Sequence, residues 1–135
     1  MRTSVNLLLL VTTLFLSGGV SAQPSVAEFD KKLAEFAVNM NKQMPMMGEE
    51  PFRMDSVGTA PGKIIIYYYT IMNSDSLGID YVEGQKLMEQ HLIEKVKTNP
   101  KMKAFRDNDV ITRYYYLDEH GVRKISVEIP NGKYK

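Results

Sequence analysis

The sequence predicts an α+β domain: a mainly antiparallel sheet of about four strands with two helices on one face, in the order α-ββ-α-ββ. Three observations predict it. Apolar residues recur at helical spacing in two separate segments, Phe29 to Met40 and Met88 to Val96. Each segment is followed by β-branched and aromatic runs broken by turn residues, which read as hairpins. The chain also has no Cys, so no disulfide offsets chain entropy and stability has to come from packing helices on a sheet.

In chain order, the first element is not part of that domain. Arg2 supplies a positive start, Val5 to Leu16 an apolar stretch too short to span a bilayer, and Ser17 to Ala22 a small-residue run ending in Val-Ser-Ala. Residues 1–22 read as an export signal, with cleavage before Gln23 and a single domain over residues 23–135. No Cys follows the apolar run, which closes the lipoprotein route. No later apolar run approaches membrane-spanning length, so no stable membrane insertion is expected after signal removal. The expected location is the periplasm or the exterior.

Ser25-Val26-Ala27-Glu28 has capping-box spacing and starts the first helix, with Phe29, Leu33, Phe36 and Met40 inward and the end before Pro45. Phe52 to Val57 leads through Ala60-Pro61-Gly62 into the strand Lys63 to Met72. Pro61-Gly62 suits a type II turn, and its poor match to strand twist predicts a loose connection or bulge. Asn73 to Gly78 is a polar loop. Asp80 caps a second helix through about Lys97, with Met88, Leu92 and Val96 inward and Gly84 allowing close approach. Asn99-Pro100 opens a short helical turn carrying Met102 and Phe105 and ending at Asp107-Asn108-Asp109. Val110 to Leu117 and Val122 to Ile129 form the last hairpin around Asp118-Glu119-His120-Gly121, with Ile125, Val127 and Ile129 on one face and Lys124, Ser126 and Glu128 on the other. Tyr67-Tyr68-Tyr69 and Tyr114-Tyr115-Tyr116 do not mark an internal repeat, because they fall on different strands of their hairpins.

Asn41 to Met47, Arg53 to Ser56, Pro61-Gly62, Tyr67 to Thr70, Leu92-Ile93, Thr98 to Met102 and Asp118 to Gly121 resemble a group of small exported bacterial proteins of undefined function. The resemblance spans most of the mature chain and implies no activity. The group has one Cys near the position of Lys97 and another near the C-terminus. It therefore implies that Lys97 lies near the tail after Ile129.

Charge excludes some partners. Lys+Arg number 17 and Asp+Glu 16, and Arg2 is the only charge lost with the signal, so the mature chain balances at zero. Nothing steers it toward nucleic acid or anionic lipid. No nucleophile elbow, phosphate loop or helical zinc pair is present, and no catalytic residue, metal or cofactor is assigned. His91 reads as a helix-boundary residue and His120 as a solvated turn residue. Asp107-Asn108-Asp109 fails as a calcium loop, since Thr112 and Asp118 stand where Gly and Glu are needed. Glu49 and Glu50 are adjacent and belong on a solvated loop.

Met40, Met44, Met46, Met47 and Met54 could supply soft thioethers for Cu(I), against the simpler reading that they fill the gap between helix and sheet. Lys95, Lys97, Lys101, Lys103 and Arg106 form a basic patch read as a solvated face where cations offset helix-end carbonyls. Alternation sends Tyr68 and Tyr115 to one face and their neighbours to the other. The expected binding residues are the solvent-facing members among Tyr67, Tyr69, Tyr114 and Tyr116, forming an aromatic sheet face for a protein or cell-envelope component. The expected function is thus a non-enzymatic exported binding or adaptor protein. The alternatives are a Met-rich Cu(I)-binding protein and a periplasmic inhibitor or immunity protein, and no oligomeric state is assigned.

Overall fold

A computed structural model of the chain describes residues 24–135. The export signal and the cut before Gln23 lie outside the described residues. Helix α1 spans Val26–Asn41. Its capping box is closed in both directions: Glu28 N donates to Ser25 Oγ and Ser25 N to Glu28 Oε2, both at 3.2 Å. The buried stripe is Phe29, Leu33, Phe36, Ala37 and Met40, the set that helical spacing required.

Strands β1 (Met46–Met47), β2 (Phe52–Ala60), β3 (Ile64–Ile71), β4 (Ile111–Leu117) and β5 (Arg123–Ile129) form one sheet in sequential order. The expected short hairpins β2–β3 and β4–β5 are both antiparallel. The β2–β3 turn puts Gly62 at φ 96° and Lys63 at φ 62°. Asp30 of α1 holds it, accepting from Gly62 N at 3.0 Å and Lys63 N at 2.7 Å. The looseness expected from the Pro61-Gly62 turn is not found beside it, where Ala60 pairs directly with Ile64; the one register shift of this pair falls at the other end, at Asp55 between Met54 and Ser56. The two-residue edge strand β1 falls where only a connecting segment was expected.

The central pairing differs from the expectation. Strands β3 and β4 are parallel, with Tyr67, Tyr68 and Tyr69 directly beside Tyr114, Tyr115 and Tyr116. An 18-residue helix, α3 (Tyr81–Thr98), joins them, and a crossover of that length is the connection that parallel neighbours need. Before α3 the expected polar loop folds as a short helical turn, α2 (Ser74–Leu77).

Asp80 caps α3, its carboxylate accepting from Val82 N and Glu83 N. Leu92 and Val96 are buried. A methyl at Gly84 would meet Ile125 Cδ1 at 3.4 Å, so the helix sits close on β5 as expected. After it come a 3-10 turn, Pro100–Met102, and α4 (Lys103–Asp107). The tail is tied back beside α3 and the start of β4. Lys133 lies 3.7 Å from Glu89, and Tyr134 donates its hydroxyl to Val110 O at 2.8 Å.

Helix α1 packs chiefly on β2 and α3 on β5, both on the face that carries Val57, Ile65, Ile71, Ile125 and Val127. Each helix also clamps a sheet edge with one amide side chain. Asn41 Nδ2 donates to Val57 O and Asn41 Oδ1 accepts from Val57 N, both at 2.8 Å. Gln85 does the same for Ser126, at 2.6 and 3.0 Å. These bonds satisfy backbone groups that an edge strand would otherwise present to another chain.

Candidate functional site

With α1 over β2 and α3 over β5, the central strands β3 and β4 form the floor of a groove between the helices. Strand alternation decides what that floor is made of. Tyr67, Tyr69, Tyr114 and Tyr116 rise toward the helices, and parallel register stacks them in pairs. Tyr67 and Tyr114 lie with centroids 5.2 Å apart and planes 22° apart; Tyr69 and Tyr116 lie at 4.9 Å and 13°.

This corrects the expectation of a solvent-facing platform. Tyr67, Tyr114 and Tyr116 are only 7%, 3% and 3% exposed, and Tyr69 is half-buried. Two helices standing apart on a narrow sheet still cover its centre. The rings on the opposite face, which no helix among the described residues covers and which is called the bare face below, are Tyr68 and Tyr115, centroids 5.5 Å apart and tilted at 58°.

Two adjoining cavities open along the groove and share Tyr69 and Lys95. One, about 250 Å³, has Tyr67, Tyr69, Tyr114 and Met54 beneath, Phe36 and Met40 of α1 on one side, and Lys95, Asn99, Lys101, Met102 and Phe105 on the other. The second, about 300 Å³, runs over Phe52, Tyr69 and Tyr116 between the Gly48-Glu49 loop and Met88, His91, Leu92 and Lys95 of α3. Together they have the size and mainly apolar character of a ligand site with a few polar groups.

Burial fixes the protonation of the floor. Desolvation pushes the Tyr69 phenol up to about 12, and burial raises those of Tyr67, Tyr114 and Tyr116 as well. All four are neutral O–H groups at physiological pH. Thr112 Oγ1, on the same face of β4 as Tyr114, is buried and has no hydrogen-bond partner among the described residues. Among the described residues, no group is hydrogen-bonded to the hydroxyls of Tyr67, Tyr69 or Tyr116, and these phenols line the cavities. None of these three oxygens is sealed in the interior, so each donor is open to an occupant of the cavity it lines.

The other expected residues fall as follows. Met44 and Met46 pack against the core, whereas Met47 is 59% exposed. Consecutive strand residues leave opposite faces, so Met46 and Met47 diverge. Met40 and Met54 belong to the groove. His120 is exposed in its turn, with Nε2 2.7 Å from Asp75 Oδ2, and that neighbour raises its pKa. Glu49 and Glu50 are exposed loop residues. The basic patch divides: Lys103 pairs with Asp107, Arg106 turns inward, and Lys95 and Lys101 are exposed, as a solvated face requires, and stand at the rim of the groove.

Local signals could not have found Phe36, Met102 or Phe105 as groove walls, because they meet only across the sheet. Lys95 and Lys101 did carry a signal in their charge. Their role emerges only when α3 and the following turn are placed beside the tyrosines.

A small α+β protein with an aromatic groove between two helices is the class these features define. The chain belongs to the family described as Domain of unknown function (DUF8479), whose model matches residues 28–126. That agrees with the resemblance to small exported proteins of undefined function. No curated protein matches the sequence. The fold is similar to that of PA3611 of Pseudomonas aeruginosa, a protein predicted to be secreted (13% identity, TM-score 0.68, covering 85% of this chain and 100% of that one). It is also similar to two type 2 secretion system pilotins, EpsS of Vibrio vulnificus and AspS of Vibrio cholerae. Their identities are 12% and 10% and their TM-scores 0.65 and 0.62; they cover 82% and 80% of this chain and 94% of each pilotin. No helix among the described residues is long and apolar enough to cross a membrane.

Proposed function

We propose that this is an exported, non-enzymatic binding protein that holds an amphipathic segment of a protein partner in the cell envelope. The segment lies between α1 and α3 on the floor of Tyr67, Tyr69, Tyr114 and Tyr116. The observation that carries this reading is the groove itself: two adjoining apolar cavities with unpartnered phenol donors beneath them. An amphipathic helix laid in such a groove would bury its apolar anchors and leave its polar face in water. Likeness in fold to pilotins supports an adaptor role, and the signal at residues 1–22 would place the mature chain, from Gln23, in the periplasm or outside the cell.

Photo-crosslinking in intact cells tests this. A crosslinker at Met102, on the wall of the groove, should capture a discrete envelope partner, whereas one at Ser126, on the bare face opposite Tyr115, should not. Tyr69→Ser should weaken capture by about 2–4 kcal/mol if that ring is a hot spot, while circular dichroism stays unchanged. Capture from Ser126 alone would move the binding surface to the bare face.

A further inference from the structure

Resting on the groove reading above, we propose that the segment it receives carries a carboxylate, an Asp or Glu beside its apolar anchors, placed over Lys95 and Lys101 at the C-terminal end of α3.

The cavity between Met40 and Met102 is apolar on both walls, yet its charged lining is of one sign. Lys95 and Lys101 border it, and no acidic residue does. Among the described residues neither lysine forms an ion pair. The ordinary task for cations at a helix end is to satisfy its last carbonyls. Arg106 already performs it, donating Nη1 to Val96 O at 2.8 Å and Asn99 O at 2.7 Å. Thr98 Oγ1 takes Glu94 O at 2.7 Å. The lysines are left without a structural acceptor, on the rim of a cavity.

The floor offers the same sign of interaction. Tyr67 is more than nine-tenths buried, lines this cavity and has no hydrogen-bond partner among the described residues; Tyr69, half-buried, stands beside it at the junction with the second cavity. Held neutral by burial, both are donors toward an occupant. Two ammonium groups and two phenol donors around an apolar slot complement an occupant that is apolar in body and oxygen-rich and negative at one point. Both lysines are exposed, so each can swing over the rim to give a seated carboxylate a charge-assisted hydrogen bond. Glu49 borders only the second cavity, so the occupant's acid belongs at the Lys101 end and the charge pattern fixes the direction in which the segment lies.

A displayed library of 15-residue peptides tests the inference, with Leu or Phe fixed at i, i+3, i+4 and i+7 and all other positions random, selected on the full exported protein. Asp or Glu should be enriched next to the anchors. In a synthesised binder, Glu→Gln should weaken binding about 10-fold. Lys95→Gln with Lys101→Gln should weaken the parent peptide as much, Lys→Arg at both sites should retain binding, and Lys86→Gln, on an exposed part of α3, should change nothing. Binders without acidic enrichment, or indifferent to both lysine changes, overturn the carboxylate and leave the groove reading intact. If no selected peptide competes with the crosslink formed at Met102, both fall.

Discussion

The two faces of the central strands are built from the same six tyrosines and end as different materials. On the helix-covered face Tyr67/Tyr114 and Tyr69/Tyr116 stack within 22° of parallel; on the bare face Tyr68 and Tyr115 tilt to 58°. The covered pairs are confined by Phe36, Met54 and Phe52. The bare pair is held by smaller devices: the Tyr68 ring lies against Gly58, where an added Cβ would be 3.5 Å away, and the Arg123 guanidinium sits 3.7 Å from the centre of Tyr115. Identical residues one position apart therefore differ in role because the helices among the described residues cover one side only.

The sharpest way to break this comparison is to truncate one ring on each face. Tyr116 is 3% exposed, stacks on Tyr69 and meets Phe52 edge-on at 5.2 Å. Tyr116→Ala should cost about 3–5 kcal/mol, the usual loss for an aromatic truncated in a core. Tyr115→Ala, on a half-exposed ring, should cost about 1 kcal/mol or less. Urea unfolding of both variants decides it, and equal losses would show that the helices do not seal their face.

Alkaline pH sharpens the same contrast. The covered phenols titrate above their ordinary value of 10.0, Tyr69 near 12 and the other three raised by burial. A group whose folded pKa is raised contributes stability that is fully present below the unfolded value. That stability is lost as pH rises from about 10 through the folded value. The domain should thus weaken steeply above pH 10, and absorbance near 295 nm should show a late phenolate step that coincides with loss of circular dichroism. Complete ionisation near pH 10 with the fold intact would place these rings in water.

How much of this was legible depended on the range of the interactions. Helix α1 and strand β5 could be read because each carries its own period: Phe29, Leu33, Phe36 and Met40 on one, Ile125, Val127 and Ile129 on the other. Gly84 was legible for the same local reason. The parallel β3–β4 pair was not, since nothing within either triplet says which strand it will lie beside; only the length of α3 bears on it. The site followed suit. The four tyrosines were named, but their exposure was misjudged because burial depends on where two helices land across the sheet.

The amide clamps at the edges test what keeps those helices down. Asn41 holds Val57 with two bonds of 2.8 Å in a partly buried setting, whereas the Gln85–Ser126 pair is exposed. Asn41→Ala should cost about 1–2 kcal/mol, Gln85→Ala about half that. Hydrogen exchange should quicken at the Val57 amide in the first variant and at Ser126 in the second. Faster exchange throughout the sheet would instead mean that each clamp governs the whole domain.

The smallest effect belongs to the bare face. Arg123 is exposed and its guanidinium rests on Tyr115, so the contact replaces some hydration and adds little net energy. Arg123→Ala should cost about 0.5–1 kcal/mol. Arg123→Lys should recover only part of it, because an ammonium cannot lie flat on a ring as a planar guanidinium does. Partner capture from the groove should be untouched in both variants, since neither changes a residue beneath the helices. Loss of capture with Arg123→Ala at full stability would place the bare face in the interface and make the tilted Tyr68–Tyr115 pair, with its cation, the contact surface.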